Sequence, residues 1–253
     1  MRFLSFLLII GSSCLIACNS KQVTEDPFEH ISDVKAKNLL KQALKGSGGL
    51  DNWISLDKLT FQKQYRLYLE SGEVETSADQ RHSYSLQGER KGTISWKDGS
   101  EDHRINFSKD KMEKLLAGQR DTSWSETRIE NTVLSSVFVM MIPYNLLDPT
   151  ASLSYAGEEM FNGKLVEVLQ VEYDPDQHEN HTTPDIWWLL FSKDNYALLG
   201  YKVKHKDHIS LVENLQNKKI QGILLPEGRK SWRVDEQGNK LYLRADYSYS
   251  YIE

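Results

Sequence analysis

The sequence predicts a mainly β, α+β domain built from antiparallel hairpins, and three observations carry that assignment. Apolar and polar residues alternate with period two over long stretches, first in Phe61-Gln62-Lys63-Gln64-Tyr65-Arg66-Leu67-Tyr68-Leu69 and last in a tyrosine-rich run ending at Tyr251. Short turn sequences, Ser71-Gly72-Glu73 and Lys97-Asp98-Gly99, separate such stretches, so the strand connections are local. Helical periodicity is confined to the region before residue 46 and to two interruptions.

Asp26-Pro27 reads as an N-cap followed by proline at the first helical position, and Ile31, Val34, Leu39, Leu40, Ala43 and Leu44 recur on one face of the helix that follows. Gly46 is its stop, and "GSGGLDNW" (46–53) forms a loop that brings Trp53 against the core. Residues 58–108 read as hairpins. A short amphipathic helix is expected around Lys109 to Ala117, and a far more apolar one over "VLSSVFVMMI" (133–142), stopped by Pro143. Ten residues cannot span a bilayer, so this second segment lies inside the protein or covers a cavity. "IWWLLF" (186–191) is apolar on both faces, as a central strand covered on both sides requires. At the end, Leu241, Leu243, Ala245, Tyr247, Tyr249 and Tyr251 project to one side of a long strand.

Both cysteines of the chain, Cys14 and Cys18, lie near its start. Met1-Arg2 is a basic opening, Phe3 to Ile10 an apolar run, and Gly11 to Ser13 a small-residue zone, which together describe a secretory signal. Leu15-Ile16-Ala17-Cys18 resembles the lipobox of bacterial lipoproteins, and the resemblance implies that Cys18 is diacylated and becomes the mature N-terminus. Residues 1–17 are then a signal peptide, 18–27 a lipidated tether, and 28–253 one folded domain. The expected location is the cell envelope, at the outer membrane of a Gram-negative bacterium. No thiol is left for a disulfide, a nucleophile or a thiolate metal site. The net charge of -5 becomes -6 once Arg2 leaves with the signal, and no basic patch is dense enough for nucleic acid.

No catalytic motif is present: the chain lacks G-x-S-x-G, a glycine-rich phosphate loop and H-E-x-x-H, so a non-catalytic protein without cofactor is expected. "HENH" (178–181) and "HKDH" (205–208) each carry two histidines three apart. If Ser192-Lys193-Asp194-Asn195 turns a hairpin whose paired positions sum to about 388, then His178, His181, His205 and His208 meet at its open end. Asp174, Asp176 or Asp185 would be at hand there as oxygen ligands or orienting partners. The spacing matches no known metal signature, and an exposed, flexible loop over 174–185 is the preferred reading, so no metal is expected.

The stretch "MMIPYNLLDPTASLSYAGEEMFNGKLVEVLQVEY" (140–173) resembles the central signature of a family of uncharacterised envelope lipoproteins related to the LolA and LolB outer-membrane lipoprotein-sorting proteins. Pro143, Tyr144, Leu146, Tyr155, Gly157, Glu159 and Gly163 carry the likeness, with "GGLDNW" and "IQGILLPEGRKSW" (220–232) in support. The resemblance implies a strongly curved antiparallel sheet forming an incomplete barrel, with the N-terminal helix and short apolar helices on its concave side and an apolar cavity between. The histidine-bearing insertion at 174–185 departs from the pattern. The function expected is to hold a lipid, acyl chain or other apolar ligand in that cavity, with Tyr65, Met141, Tyr144 and Trp188 in its walls. Two alternatives stand beside it: a solid-core lipoprotein that binds a partner protein or glycan, and a metal-dependent enzyme using the four histidines.

Overall fold

The structure is a computed structural model and describes residues 26–87, 91–173 and 185–252. Cys18, His178 and His181 therefore lie outside the described residues, as do Asp174 and Asp176.

The described residues form one 13-stranded antiparallel sheet. The first half of the chain contributes β1 (Lys58–Tyr68), β2 (Val74–Ser85), β3 (Lys91–Asp98), β4 (Glu101–Phe107), β5 (Met112–Leu116) and β6 (Gln119–Arg120). The second half contributes β7 (Ala151–Phe161), β8 (Lys164–Tyr173), β9 (Ile186–Ser192), β10 (Leu198–Lys204), β11 (Ile209–Ile220), β12 (Ile223–Val234) and β13 (Lys240–Tyr251). Each half is a meander, and they join where β13 lies beside β1, with Tyr65 opposite Tyr247. The free edges are β6 and β7, so the sheet is an open half-barrel. Two-residue turns drive the meander where the sequence permits positive φ at both central positions. Asn162-Gly163 and Gln221-Gly222 each have φ above 40° at both residues, the type I′ geometry that matches strand twist.

Two helices cover the inner face. Helix α1 (Val34–Gly46) buries Ala36, Leu39, Leu40, Ala43 and Leu44. It begins at Val34 rather than at Pro27, because Asp26 closes a local turn by accepting from the Phe28 amide, whereas Asp33 caps the helix. Asp33 Oδ1 accepts from the amides of Lys35 (2.8 Å) and Ala36 (3.1 Å). Its Oδ2 accepts from the Tyr155 amide of edge strand β7 at 2.9 Å, so one carboxylate fixes the helix start to the sheet edge. Val34, expected in the apolar face, is 69% exposed. The glycine-rich stretch beyond α1 runs into a short helix, α2 (Leu50–Ser55), where a loop was expected. A Cβ on Gly48 would lie 2.2 Å from the Gly222 carbonyl oxygen, so only glycine lets this segment approach the β11–β12 turn.

Helix α3 (Glu126–Met140) starts seven residues before the apolar run, at an N-cap formed by Ser125 Oγ and the Arg128 amide (3.2 Å). It is amphipathic rather than apolar all round. Ile129, Val133, Val137 and Met140 are buried once per turn, while Asn131 and Ser135 are exposed. The helix expected at 109–117 is strand β5 instead. Alternation from Met112 through Lys114 to Leu116 matches the opposed β4 register, and a run this short cannot be told from a helix by periodicity.

The largest core cluster lies between the helices and the inner face. A second cluster, around Phe161, Val166, Val168, Leu190, Leu211 and Val234, occupies the outer face. Past a register shift between Tyr155 and Gly157, β7 brings Glu159 to Lys202 of β10 (3.0 Å) and the Phe161 ring against Gly200. The β7–β8 hairpin thus leans across the outer face and covers it. This is why β9 is apolar on both sides: Trp187 joins the inner core and Trp188 packs on the outer one. Ile186 pairs with Lys204, two residues beyond the expected register: the turn shifts the pairing by one, setting Leu198 opposite Phe191, and the bulge between Leu198 and Gly200 adds one more. Bulges after Ser231 and Arg233 break the terminal stripe likewise, leaving Leu241 63% exposed.

Candidate functional site

The inner-face positions of β1, β2, β12 and β13 follow from the register. Phe61, Lys63, Tyr65 and Leu67 alternate inward on β1, opposite Tyr251, Tyr249, Tyr247 and Ala245 of β13. Gln80 and Ala78 of β2 flank Lys63 and Tyr65 on the other side, and Arg229 of β12 lies beyond Tyr247. A lysine and an arginine thus enter a face otherwise made of aromatic and small residues.

Arg229 is buried at 3% exposure. Its Nε donates to Asn214 Oδ1 (2.9 Å) and its Nη2 to the Val139 carbonyl of α3 (2.9 Å), while the guanidinium lies 5.6 Å from the Tyr249 ring centre and 6.0 Å from that of Tyr201. Lys63 Nζ lies 5.3 Å from the ring centres of both Tyr65 and Tyr247. Burial, with the nearby Arg229 charge adding to it, lowers the Lys63 pKa to about 8. His82, stacked on Phe61 at 4.8 Å, is pushed down to about 2 by burial and by the Lys63 charge, so it is neutral. Its ring bonds the Tyr84 hydroxyl and Gln80 Oε1. Burial raises the phenol pKa values of Tyr65, Tyr247 and Tyr249, and that of Tyr201 to about 12.

A cleft of about 490 Å³ opens between these strands and the first half of α3. Tyr65, Ala78, Gln80 and Trp96 line the sheet side, and Trp124, Arg128 and Thr132 the helix side. A second cleft of about 650 Å³ touches Tyr65, Ala78, Arg229 and Tyr247 but is lined mainly by outward-facing residues of the same strands, among them Gln64, Arg66, Asp79, Lys230, Asp246 and Ser248. Both fall in the range of small-ligand sites, about 300–1,000 Å³. The far wall is a closed polar unit. Buried Lys114 donates to Asp121 and lies 3.0 Å from His103 Nδ1, with its ammonium 5.0 Å from the Trp124 ring centre. That hydrogen bond holds the Asp121 carboxyl well below the usual carboxylate range.

Of the four residues expected in the cavity walls, Tyr65 lines both clefts. Tyr144 is buried in packed core, where its ring stacks on Trp53 at 4.4 Å and 6° and its hydroxyl donates to the Ser47 carbonyl (2.9 Å). Met141 caps α3, its amide bonded to the Phe138 carbonyl at the opposite end of the helix from the 490 Å³ cleft. Trp188 faces outward, because strand alternation sends Trp187 inward, and its indole donates to Gln170 Oε1 (3.0 Å). The sequence reading missed Lys63 and Arg229. A signal was present for the first, a charged residue at an inward position of an alternating strand.

His205 and His208 lie side by side, ring centres 4.6 Å apart, across a turn in which the His205 amide bonds the His208 carbonyl. His205 Nδ1 pairs with Asp185 Oδ2 (2.9 Å) and His208 Nδ1 with Asp207 Oδ1 (2.7 Å). Among the described residues no three histidine, cysteine or carboxylate groups are placed to hold a metal ion.

No protein-family model and no curated protein matches this chain. Solved structures do share its fold. A DUF1329 family protein from Desulfovibrio piger is 14% identical with a TM-score of 0.53, the match covering 85% of this chain and 91% of that one. A domain assigned as an outer membrane lipoprotein-sorting protein from Vibrio parahaemolyticus is 10% identical with a TM-score of 0.52, covering 86% and 92%. A LolA superfamily protein from Nitrosomonas europaea is 11% identical, also at 0.52, covering 85% and 91%. The fold is therefore the LolA-like half-barrel that the motifs at 48–53, 140–173 and 220–232 imply. The latter two meet at one carbonyl just ahead of the first, since Ser47 accepts from both the Tyr144 hydroxyl and the Leu224 amide (2.9 Å).

Proposed function

We propose that this chain is a membrane-anchored envelope lipoprotein that carries a lipid or acyl chain in its half-barrel, without catalysis. The observation behind the reading is the cleft of about 490 Å³ between an unclosed antiparallel sheet and helix α3, bordered by Tyr65, Ala78 and Trp96 of the sheet and by Trp124 just ahead of the helix. The fold it shares with a protein assigned to outer membrane lipoprotein sorting points the same way. An apolar tail laid against Trp96, Ala78 and Trp124 gains about 0.8 kcal/mol per buried methylene before ordering costs. Attachment through Cys18 places the carrier at a membrane, where such ligands are found.

Ala78 borders both clefts, so Ala78→Trp tests the reading. A fluorescent fatty acid should bind the wild type saturably and the variant at least tenfold more weakly, with unfolding still cooperative. No saturable binding to the wild type at micromolar ligand would replace the carrier with a partner-binding module. The anchor has its own test: Cys18→Ser should move the protein from the membrane fraction to the soluble one, and its retention on membranes after carbonate washing would contradict lipidation at this residue.

A further inference from the structure

Three cations are set into the inner face, and they differ in how their charge is met. Lys114 has Asp121 beside it. Lys63 and Arg229 have no carboxylate partner among the described residues. Arg229 is held by an amide oxygen, a backbone carbonyl and the Met140 sulfur, all neutral. Lys63 rests over two tyrosine rings. The acidic residues nearest in register sit on the other face. Asp79 is opposite Gln64 and accepts from the side-chain Nε2 groups of Gln62 and Gln64, and Asp246 is opposite Arg66 and accepts from the Tyr68 hydroxyl. Strand alternation turns both away from Lys63.

Two like charges in one partly buried site raise each other's cost, and buried charges are ordinarily paired. A chain that needed only a stable core would carry a methionine or leucine at position 63, since its neighbours Phe61, Tyr65, Tyr247 and Tyr249 form an aromatic wall. The cost of leaving the ammonium there is removed by an anion arriving from outside. Tyr65 and Gln80, the neighbours of Lys63 along and across the strands, line the 490 Å³ cleft, and the Tyr65 and Tyr247 hydroxyls are protonated and able to donate. From this point the aromatic floor continues through Ala78 to Trp96 and Trp124 under α3, so an anionic head beside Lys63 leaves its tail in the cleft.

We propose that the ligand is an anionic amphiphile whose carboxylate or phosphate head is held by Lys63, in the positive field of Arg229, against Tyr65 and Tyr247. This rests on the lipid-carrier reading above and adds the charge of the ligand to it. Lys63 is the contacting group. Arg229 is a positioning residue that also fixes the end of α3.

The experiment compares dansyl-undecanoic acid with its methyl ester on the full-length mature protein, as wild type, Lys63→Met and Lys63→Arg. Methionine keeps the aliphatic stem over the tyrosine rings, so the fold is retained and thermal unfolding confirms it. Wild type should bind the acid at least tenfold more tightly than the ester, the scale of one charge-assisted hydrogen bond. Lys63→Met should bind both at the level of the ester, and Lys63→Arg should restore the preference for the acid. Inorganic phosphate in large excess should displace neither. Equal binding of acid and ester by the wild type, or an undiminished preference in Lys63→Met, overturns the headgroup assignment and leaves the carrier standing. Absence of binding for both probes overturns both. Displacement of the acid by phosphate, lost in Lys63→Met, assigns the site to a free anion and overturns the lipid head.

Discussion

The Arg229 guanidinium donates to the Val139 carbonyl at 2.9 Å, joining the inner face of the sheet to the last turn of α3. The last carbonyls of a helix have no partner within it, and here a strand side chain supplies one. The contact closes one end of α3 against β12. The first half of the same helix buries Ile129 and Val133 in the core and turns Arg128 and Thr132 to the 490 Å³ cleft, so one helix is tied to the sheet at its end and borders an opening at its start.

Removing the guanidinium should therefore loosen the closed end. Arg229→Met leaves the Val139 carbonyl and Asn214 Oδ1 without their donor, and each buried unsatisfied group costs about 1–3 kcal/mol. Relief of an uncompensated buried charge offsets part of this, so a net loss of about 2 kcal/mol is expected. In a domain of this size that lowers the unfolding midpoint by about 4–8 °C. Calorimetry of the mature protein checks the shift, and an unchanged midpoint would show that Arg229 does not hold α3.

Trp53 and Tyr144 should separate stacking from hydrogen bonding. Tyr144→Phe removes one donor to Ser47, but the Leu224 amide still satisfies that carbonyl, so the loss should stay near 1 kcal/mol. Trp53→Ala removes the stacked ring and should cost more, about 2–3 kcal/mol. A double-mutant cycle of Trp53→Ala with Tyr144→Ala should give a coupling of about 0.5–1.5 kcal/mol, measured by denaturant unfolding. Zero coupling would mean that the parallel rings contribute only area.

Lys63 sets a pH dependence whose sign is fixed by its lowered pKa of about 8. Binding of an anionic ligand needs the ammonium, so affinity should be flat from pH 6 to 7 and fall as pH rises through about 8. In Lys63→Met it should stay flat. The groups around Lys63 do not titrate in this window: Arg229 stays charged, His82 stays neutral, and the phenols of Tyr65, Tyr247 and Tyr249 are raised. The unliganded fold shows the reverse trend. Above pH 8 the folded chain releases this proton while the unfolded chain keeps it to about 10.5, so wild-type stability should rise relative to Lys63→Met. Titrations of both proteins check the two slopes. Equal slopes in the two would remove Lys63 from the site.

Much of this architecture was legible in the sequence because strand periodicity and turn chemistry act locally. Phe61, Tyr65 and Tyr249 face inward as alternation requires, and Gly163 makes the turn its neighbour Asn162 allows. What failed depends on partners distant in the chain. Asp33 outcompetes Asp26 as the helix cap because Tyr155, 122 residues away, offers it a third amide. Trp188 and Trp187 are indistinguishable in an all-apolar strand until the register with β8 and β10 is known. The apolar run at 133–142 hid the start of α3, whose first turns carry Glu126, Arg128 and Glu130 and read as loop. Lys63 was visible as an exception to alternation, but its lack of a carboxylate is a property of the assembled face.

The central claim is that the half-barrel carries an anionic lipid, and native mass spectrometry of the protein, released gently from the cells that make it, tests it most directly. The account predicts a bound species at one per chain whose mass is that of a fatty acid or an acidic lipid, reduced in Ala78→Trp and in Lys63→Met. A protein mass with no non-covalently bound lipid, in wild type and variants alike, would contradict it.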